Sequence, residues 1–435
     1  MQSISKIIVS GDATLYENKN PNIISSDTAV NDNHKKKVAI ITMFYGSTNY
    51  GGVLQAYALY TVVKSFGFQC EIIRYAQSIV KENLKSVVVK KYKGKSISIK
   101  TFFEVLGDCC RYVKMINTYF SLKIYKKYIL NQKLKLRMKA FSEFSRKHLE
   151  TSQIYTKDTI KNSNSVYDIF ICGSDQIWNK GFDSAYFLDF VSNDKPKIAY
   201  APSISANQLT KEQINYMQPL LEKFTALSVR EIEPQEILNK VIYKDVKWVL
   251  DPTILLSAEY WQSVSSPYPI NQPYVLCYIL GSRKDNWNYI SQLIKIMDLP
   301  VVTLPFVAGN TLVGISNGDI HIYDAGPSEF LDLIRNAEYI ITDSFHGSVF
   351  SILFEKKFII LKRNFETTEV NADSRIATLL KLSGLENRMI HNNLNEDILL
   401  INENIDYGEV LPKIQAMRDE SLQFLKNALI QKGYE

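Results

Sequence analysis

Two hydrophobic rhythms alternate along the chain. Residues 38–44 form a short apolar run, and a polar, glycine-containing loop follows at 45–52. Apolar residues then recur at 53, 54, 58, 59, 62, 63 and 66, which is helical spacing. A second apolar run occupies 68–75. This strand–loop–helix–strand unit predicts a right-handed parallel crossover. The rhythm resumes with apolar runs at 167–172, 197–201 and 225–229. After residues 247–252 a second series opens, with strands expected over 273–280, 300–306, 338–342 and 357–361. Helices are expected over 287–297, 328–336, 346–354 and 375–382, and a long amphipathic one over 410–432. Strands alternating with helices on both sides of the break imply two doubly wound α/β domains. Ligands of such sheets sit at the carboxyl ends of the strands, so the strand-to-helix loops carry the candidate chemistry.

Residues 78–160 interrupt this alternation. They read as a helical, basic insertion in the first domain, with Tyr and Phe interleaved from Tyr92 to Tyr128. Between residues 78 and 147 there are 18 Lys and Arg against 4 Asp and Glu, a net charge of +14. The other 365 residues net −8, although the whole 435-residue chain nets only +6. One segment therefore holds all of the basic excess. The expected organisation is a mobile leader at 1–36, a first domain at 37–245 including the insertion at 78–160, a second domain at 246–408, and a final helix at 409–435. Hydrophobic residues at 46% and charged residues at 22% are globular values, which excludes bulk disorder. Five dispersed cysteines without a CxxC pair argue against a disulfide framework or a structural zinc, and no metal is expected. No run of 18 apolar residues occurs, and the N-terminal apolar run is too short for a signal peptide. A cytoplasmic protein is the expectation.

Three loops follow strands and open helices. Gly46-Ser-Thr-Asn-Tyr-Gly-Gly52 combines small residues with a helix N-terminus, which suits an anion or a close backbone approach. It lacks the spacing of a dinucleotide or nucleotide-phosphate loop, and a plain tight turn is the alternative reading. Cys172-Gly-Ser-Asp-Gln-Ile-Trp-Asn179 would project Ser174, Asp175 and Gln176 with Trp178 into a cleft, a set suited to sugar hydroxyls. Its alternative is an N-cap Ser or Asp. Thr342-Asp-Ser-Phe-His-Gly-Ser348 puts His346 at a helix start, as a general acid or as a ligand to an anion; a capping histidine is the other reading. Arg230 follows an apolar strand and Arg375 opens a helix. Arginine holds carboxylate or phosphate bidentately at any working pH, and two arginines on one cleft would trap a small polyanion.

Taken together, the motifs are more specific than any one loop. Asn49-Tyr-Gly-Gly-Val-Leu-Gln-Ala-Tyr-Ala58, Cys172–Asn179, Ser228-Val-Arg-Glu231, Asp251-Pro252 and Thr342–Ser348 occur in this order, followed by Ser374-Arg-Ile376. The set resembles the polysaccharide pyruvyl transferase family over residues 37–390. The resemblance implies two facing Rossmann-like domains of the GT-B-like type, with the last helix packing back on the first. It also implies transfer of the enolpyruvyl unit of phosphoenolpyruvate onto two hydroxyls of a sugar, giving a pyruvate ketal and phosphate. By that resemblance His346 and Arg230 match the family's donor-site histidine and arginine, and with Asp343 they are the catalytic candidates. Arg230, His346, Ser344, Gly347, Ser348 and Arg375 would bind the donor. Asn49, Tyr50, Gly51, Gly52, Ser174, Asp175, Gln176 and Trp178 would face the acceptor. Asp343 is expected to orient His346 or to act as a base. No cofactor beyond the phosphoenolpyruvate substrate is implied. The acceptor would be a surface polysaccharide sugar or a polyprenyl-diphosphate-linked precursor, and the insertion at 78–160 would dock on anionic lipid or be a solvated helical insertion. No nucleic-acid motif accompanies the basic patch. A nucleotide-sugar glycosyltransferase of the same architecture is the competing function, although no acidic ribose-binding signature appears in the second domain.

Overall fold

The computed structural model describes residues 36–76, 131–179, 183–205, 209–281, 284–308, 311–313, 318–362, 374–390 and 393–430. The expected leader up to residue 35 and the basic stretch at 77–130 lie outside the described residues.

The first lobe runs β1 (Lys37–Ile41), α1 (Tyr50–Ser65), β2 (Gln69–Ala76), α2 (Asn131–His148), β3 (Thr151–Thr156), β4 (Ile169–Cys172), β5 (Lys197–Ala199), α3 (Lys211–Leu221), β6 (Ala226–Val229), α4 (Ile232–Val241) and β7 (Val246–Trp248). Its seven strands are all parallel, in the order β3-β2-β1-β4-β5-β6-β7. Two short helices, α5 (Pro252–Leu255) and α6 (Ala258–Ser263), lead into the second lobe. There follow β8 (Val275–Tyr278), α7 (Lys284–Met297), β9 (Val301–Thr303), β10 (Phe306–Ala308), β11 (Thr311–Val313), β12 (Ile320–His321), α8 (Pro327–Asn336), β13 (Tyr339–Thr342), α9 (Phe345–Leu353), β14 (Lys357–Leu361), α10 (Ser374–Ser383), β15 (Met389–Ile390), α11 (Leu394–Asn402) and α12 (Tyr407–Ile430). The second sheet is also parallel, β12-β9-β8-β13-β14-β15, with β10 and β11 as a separate antiparallel hairpin. Both sheets wind outward in both directions from a central pair, β1/β4 and β8/β13. This is the Rossmann order, and it places a topological switch point at each pair. The two-lobed, GT-B-like architecture expected from the sequence is therefore present.

The buried runs explain the strands. β1, β4, β6, β8 and β13 are apolar almost throughout because helices cover both faces of a parallel sheet. Two expectations shift. Residues 151–156 are not insertion: β3 pairs with β2 as the sheet edge, and its partly polar sequence TSQIYT hides it from a hydrophobic reading. Nor does the first lobe stop at 245, since β7 pairs with β6.

One core cluster lies on the outer face of each sheet. The third is continuous across the lobes and joins Tyr50 and Leu54 of α1 to Leu276, Phe330, Phe345 and Leu425. This explains why α1 is buried nearly all round rather than along one stripe. Tyr50 stacks on Phe330 with ring centres 4.4 Å apart and donates to the Ala325 carbonyl at 2.8 Å. Arg137 of α2 is buried, with its guanidinium 4.5 Å from the Tyr50 ring centre, and it donates to the carbonyls of Thr48 and Pro305. The final helix returns to the first lobe. Ser421 accepts from the Leu250 amide, and Phe424 packs near Tyr200. Among the described residues no helix is long and apolar enough to cross a membrane.

Candidate active site

The loops leaving both sheets at their carboxyl ends meet at the seam between the lobes. In the first lobe, Gln55 knots the switch point. Its amide nitrogen donates to Thr42 Oγ1 and the Gly52 carbonyl, and its oxygen accepts from the Ser174 amide. Gly173 has φ +134°, and a Cβ there would lie 1.9 Å from the Tyr200 carbonyl oxygen, so only glycine fits. The Ser174 hydroxyl donates to the Ala201 carbonyl and lies 3.0 Å from Asp251 Oδ2.

Arg230, directly after β6, is buried. Its Nη1 donates to Asp251 Oδ2 at 2.6 Å and its Nη2 to Asp175 Oδ1 at 3.3 Å. Asp251 caps α5, and its Oδ1 accepts both the amide and the hydroxyl of Thr253. Burial works to raise the Asp251 carboxyl, but His346 and Arg230 outweigh it and hold the group well below the usual carboxylate range. Burial likewise opposes the charge on Arg230, while Asp251, Asp175 and Glu231 raise its pKa. Glu231 is fully buried. Its carboxyl is pushed up by burial, against the pull of Arg230, Ser203 and Arg375. One Glu231 oxygen accepts from the Ser203 hydroxyl, and the other has no hydrogen-bond partner.

The second lobe supplies His346 from the first turn of α9. The residue is 7% exposed, and its Nε2 lies 3.7 Å from Asp251 Oδ1, outside hydrogen-bond range. That nitrogen has no hydrogen-bond partner, and neither does Arg230 Nε. A Cβ on Gly51 would fall 1.9 Å from His346 Nδ1. The first turn of α1 therefore lies directly against the histidine, and glycine makes that approach feasible. The guanidinium carbons of Arg230 and Arg375 lie 4.8 and 5.9 Å from the centre of the Phe345 ring. Two arginines, a histidine and the N-terminal turns of α1 and α9 thus converge where the sheets meet. An anion is the ligand such a set favours.

The expected site residues divide. Arg230, His346, Arg375 and Asp175 come together. Asp343 does not sit with His346: its two carboxylate oxygens accept the amides of Leu280 and Gly281, both at 2.7 Å, and so staple the loop after β8 to that after β13. The carboxylate beside His346 is Asp251. Ser344 caps α9 through the Gly347 amide, and Ser348 donates to the Ser344 carbonyl, so both hydroxyls serve the helix. A Cβ on Gly347 would meet Thr342 Oγ1 at 2.5 Å. Asn49 caps α1 at the Gly52 amide. Tyr50 and Trp178 are fully buried; Trp178 stacks on Phe187 and donates to the Tyr186 carbonyl, so both rings are packed into the core. Gly51 and Gly52 are buried at the seam, and Ser174 is committed to Asp251 and Ala201. Gln176 is partly exposed and donates to Ser205. Among the described residues no cluster of His, Cys, Asp and Glu is placed to hold a metal.

The sequence model of the polysaccharide pyruvyl transferase family matches residues 49–364, which span both halves of this site. The chain belongs to that family. It is accordingly a transferase that moves the pyruvyl unit of phosphoenolpyruvate onto a sugar of a polysaccharide or its lipid-linked precursor. No curated protein is significantly similar in sequence. Among solved structures, the chain is similar to a putative UDP-N-acetylglucosamine 2-epimerase from Listeria monocytogenes, at 10% identity and a TM-score of 0.49, covering 92% of this chain and 98% of that one. It is also similar to the UDP-GlcNAc 2-epimerase of Neisseria meningitidis, at 10% identity and a TM-score of 0.45, covering 91% and 100%. The corresponding enzyme of Methanocaldococcus jannaschii matches at 13% identity and a TM-score of 0.42, covering 84% and 92%.

Proposed function

We propose that this pyruvyl transferase holds phosphoenolpyruvate in the seam between Arg230 and His346. The observation that carries the proposal is the pair of buried nitrogens without a hydrogen-bond partner, Arg230 Nε and His346 Nε2, on opposite lobes around Asp251. An unmet buried polar group costs roughly 1–3 kcal/mol, which an anion spanning the two would recover. Arg230 takes the phosphate or carboxylate, with Arg375 as the second cation. His346 is the general acid. Asp251 holds Arg230 and lies where it stabilises a protonated imidazole. Protonation of the methylene carbon makes the phosphate-bearing carbon electrophilic. The first sugar hydroxyl adds there, phosphate leaves, and the second hydroxyl closes the ketal. Of the two hydroxyl protons released, one replaces the proton given to carbon and the other leaves with phosphate. Asp175 and Gln176 border the acceptor side.

The acceptor reading and the membrane reading go together. In the described part of the basic stretch, α2, Lys135, Lys139 and Arg146 are exposed on one face, with Lys139 3.5 Å from Glu143, and that face would meet anionic lipid carrying a lipid-linked sugar. On this reading the enzyme works against a membrane surface that carries its acceptor.

The test is a thermal shift with phosphoenolpyruvate set against UDP-hexoses, on wild type, Arg230→Ala and His346→Ala. Ligand at 100 times its Kd adds about 2.7 kcal/mol of stability. We expect a shift with phosphoenolpyruvate alone, lost in Arg230→Ala and reduced in His346→Ala. A shift with a UDP-hexose instead would point to a sugar transferase.

A further inference from the structure

Arg230 divides its guanidinium between two carboxylates that are not equivalent. Asp251 is fully buried, bonded at 2.6 Å, and anchored as well by Thr253 and Ser174. Asp175 is held to Arg230 by a single longer bond at 3.3 Å, and its side chain keeps 16% exposure. Its main chain is pinned, since its carbonyl accepts the amides of Ile177 and Ser203, so only side-chain torsions need change for the carboxylate to swing away. Releasing Asp251 would strand a buried charge; releasing Asp175 would not.

We infer that Asp175 holds Arg230 where the donor's anion binds, and gives up the guanidinium when phosphoenolpyruvate binds. The inference rests on the donor reading above. A phosphoenolpyruvate anion and the Asp175 carboxylate compete for the same Nη2 and the same face of Arg230, and their like charges repel at that distance. The Asp175 carboxylate also borders the first turn of α1. Asp175 Oδ2 and Ser47 Oγ lie 3.6 and 3.5 Å from the point where a Cβ on Gly52 would be. Ser47 in turn lines a cleft of about 540 Å³ with Tyr45, Arg74 and Phe141. Asp175 is thus a positioning residue for the donor site, one that keeps Arg230 paired until the substrate arrives.

The consequence runs against the usual effect of deleting an active-site residue. Asp175 has φ +71°, a conformation that asparagine and glycine both accept, so Asp175→Asn and Asp175→Gly keep the loop. Phosphoenolpyruvate is titrated calorimetrically into wild type and both variants at fixed pH and ionic strength, with melting curves to confirm folding. We expect both variants to bind phosphoenolpyruvate about three- to tenfold more tightly than wild type, because a competing like charge is gone. Unchanged or weaker binding by either folded variant, with wild type binding normally, overturns the inference. Failure of wild type itself to bind phosphoenolpyruvate overturns the donor reading, and the inference with it.

Discussion

Gly51 bears no side chain, and the position of His346 depends on that. A Cβ at Gly51 would overlap the imidazole at 1.9 Å, so Gly51→Ala must push the ring off its place beside Asp251. We expect the Kd for phosphoenolpyruvate to rise roughly tenfold, about 1.4 kcal/mol, with the circular dichroism spectrum unchanged. An unchanged Kd would remove His346 from the donor site. Two buried acids give opposite pH signatures. Glu231 is raised above its ordinary 4.5, so its contribution to stability is complete below that value and is lost as pH rises through the folded pKa. Asp251 is depressed below its ordinary 3.8, so its contribution holds above that value and is lost only as pH falls through the folded pKa. Glu231→Gln should therefore gain melting temperature relative to wild type as pH is raised above 4.5. A pH-independent difference would contradict the burial of that charge. At this scale the sequence exposes Arg230, His346 and Arg375, because charged residues at strand and helix ends are visible locally. It leaves Asp251 without a role, because its partners come from β6, α5 and α9 and no local pattern joins them. It places Trp178 at the acceptor because an indole suits a sugar as well as a core, and only burial separates the two.

Elements carry the site by their ends. The first turns of α1 and α9 abut because α1 is sunk in the core shared by the lobes. Tyr50 fixes this contact with one hydroxyl bond and one ring stack. Tyr50→Phe keeps the stack and strands the Ala325 carbonyl, so denaturant unfolding should show a loss of about 1 kcal/mol. A loss near zero would mean that the ring alone sets the seam. The central strands and most helices are legible from hydrophobic rhythm, since parallel strands covered on both faces read as apolar runs. β3, β7 and β15 are not, being short edge or near-edge strands with too few apolar residues to register. Helix α2 shows a limit of charge reading. Within a basic run, Arg137 is buried at the seam as a donor to two carbonyls, whereas Lys139 and Lys147 face solvent.

For the molecule as a whole, two sheets of the same winding order set their switch points against each other, and the chain returns through α12 to brace the first lobe. A donor held as proposed would touch both lobes at once, through Arg230 on one side and His346 and Arg375 on the other. Asp175 lends the first of these a temporary partner. The most direct test is a crystal structure of the enzyme soaked with phosphoenolpyruvate. The account predicts density for the ligand's anionic oxygens at hydrogen-bond distance, about 3 Å, from the Arg230 guanidinium and His346 Nε2, with the Asp175 carboxylate turned away. Phosphoenolpyruvate bound elsewhere, with Arg230 still paired to Asp175, would contradict it.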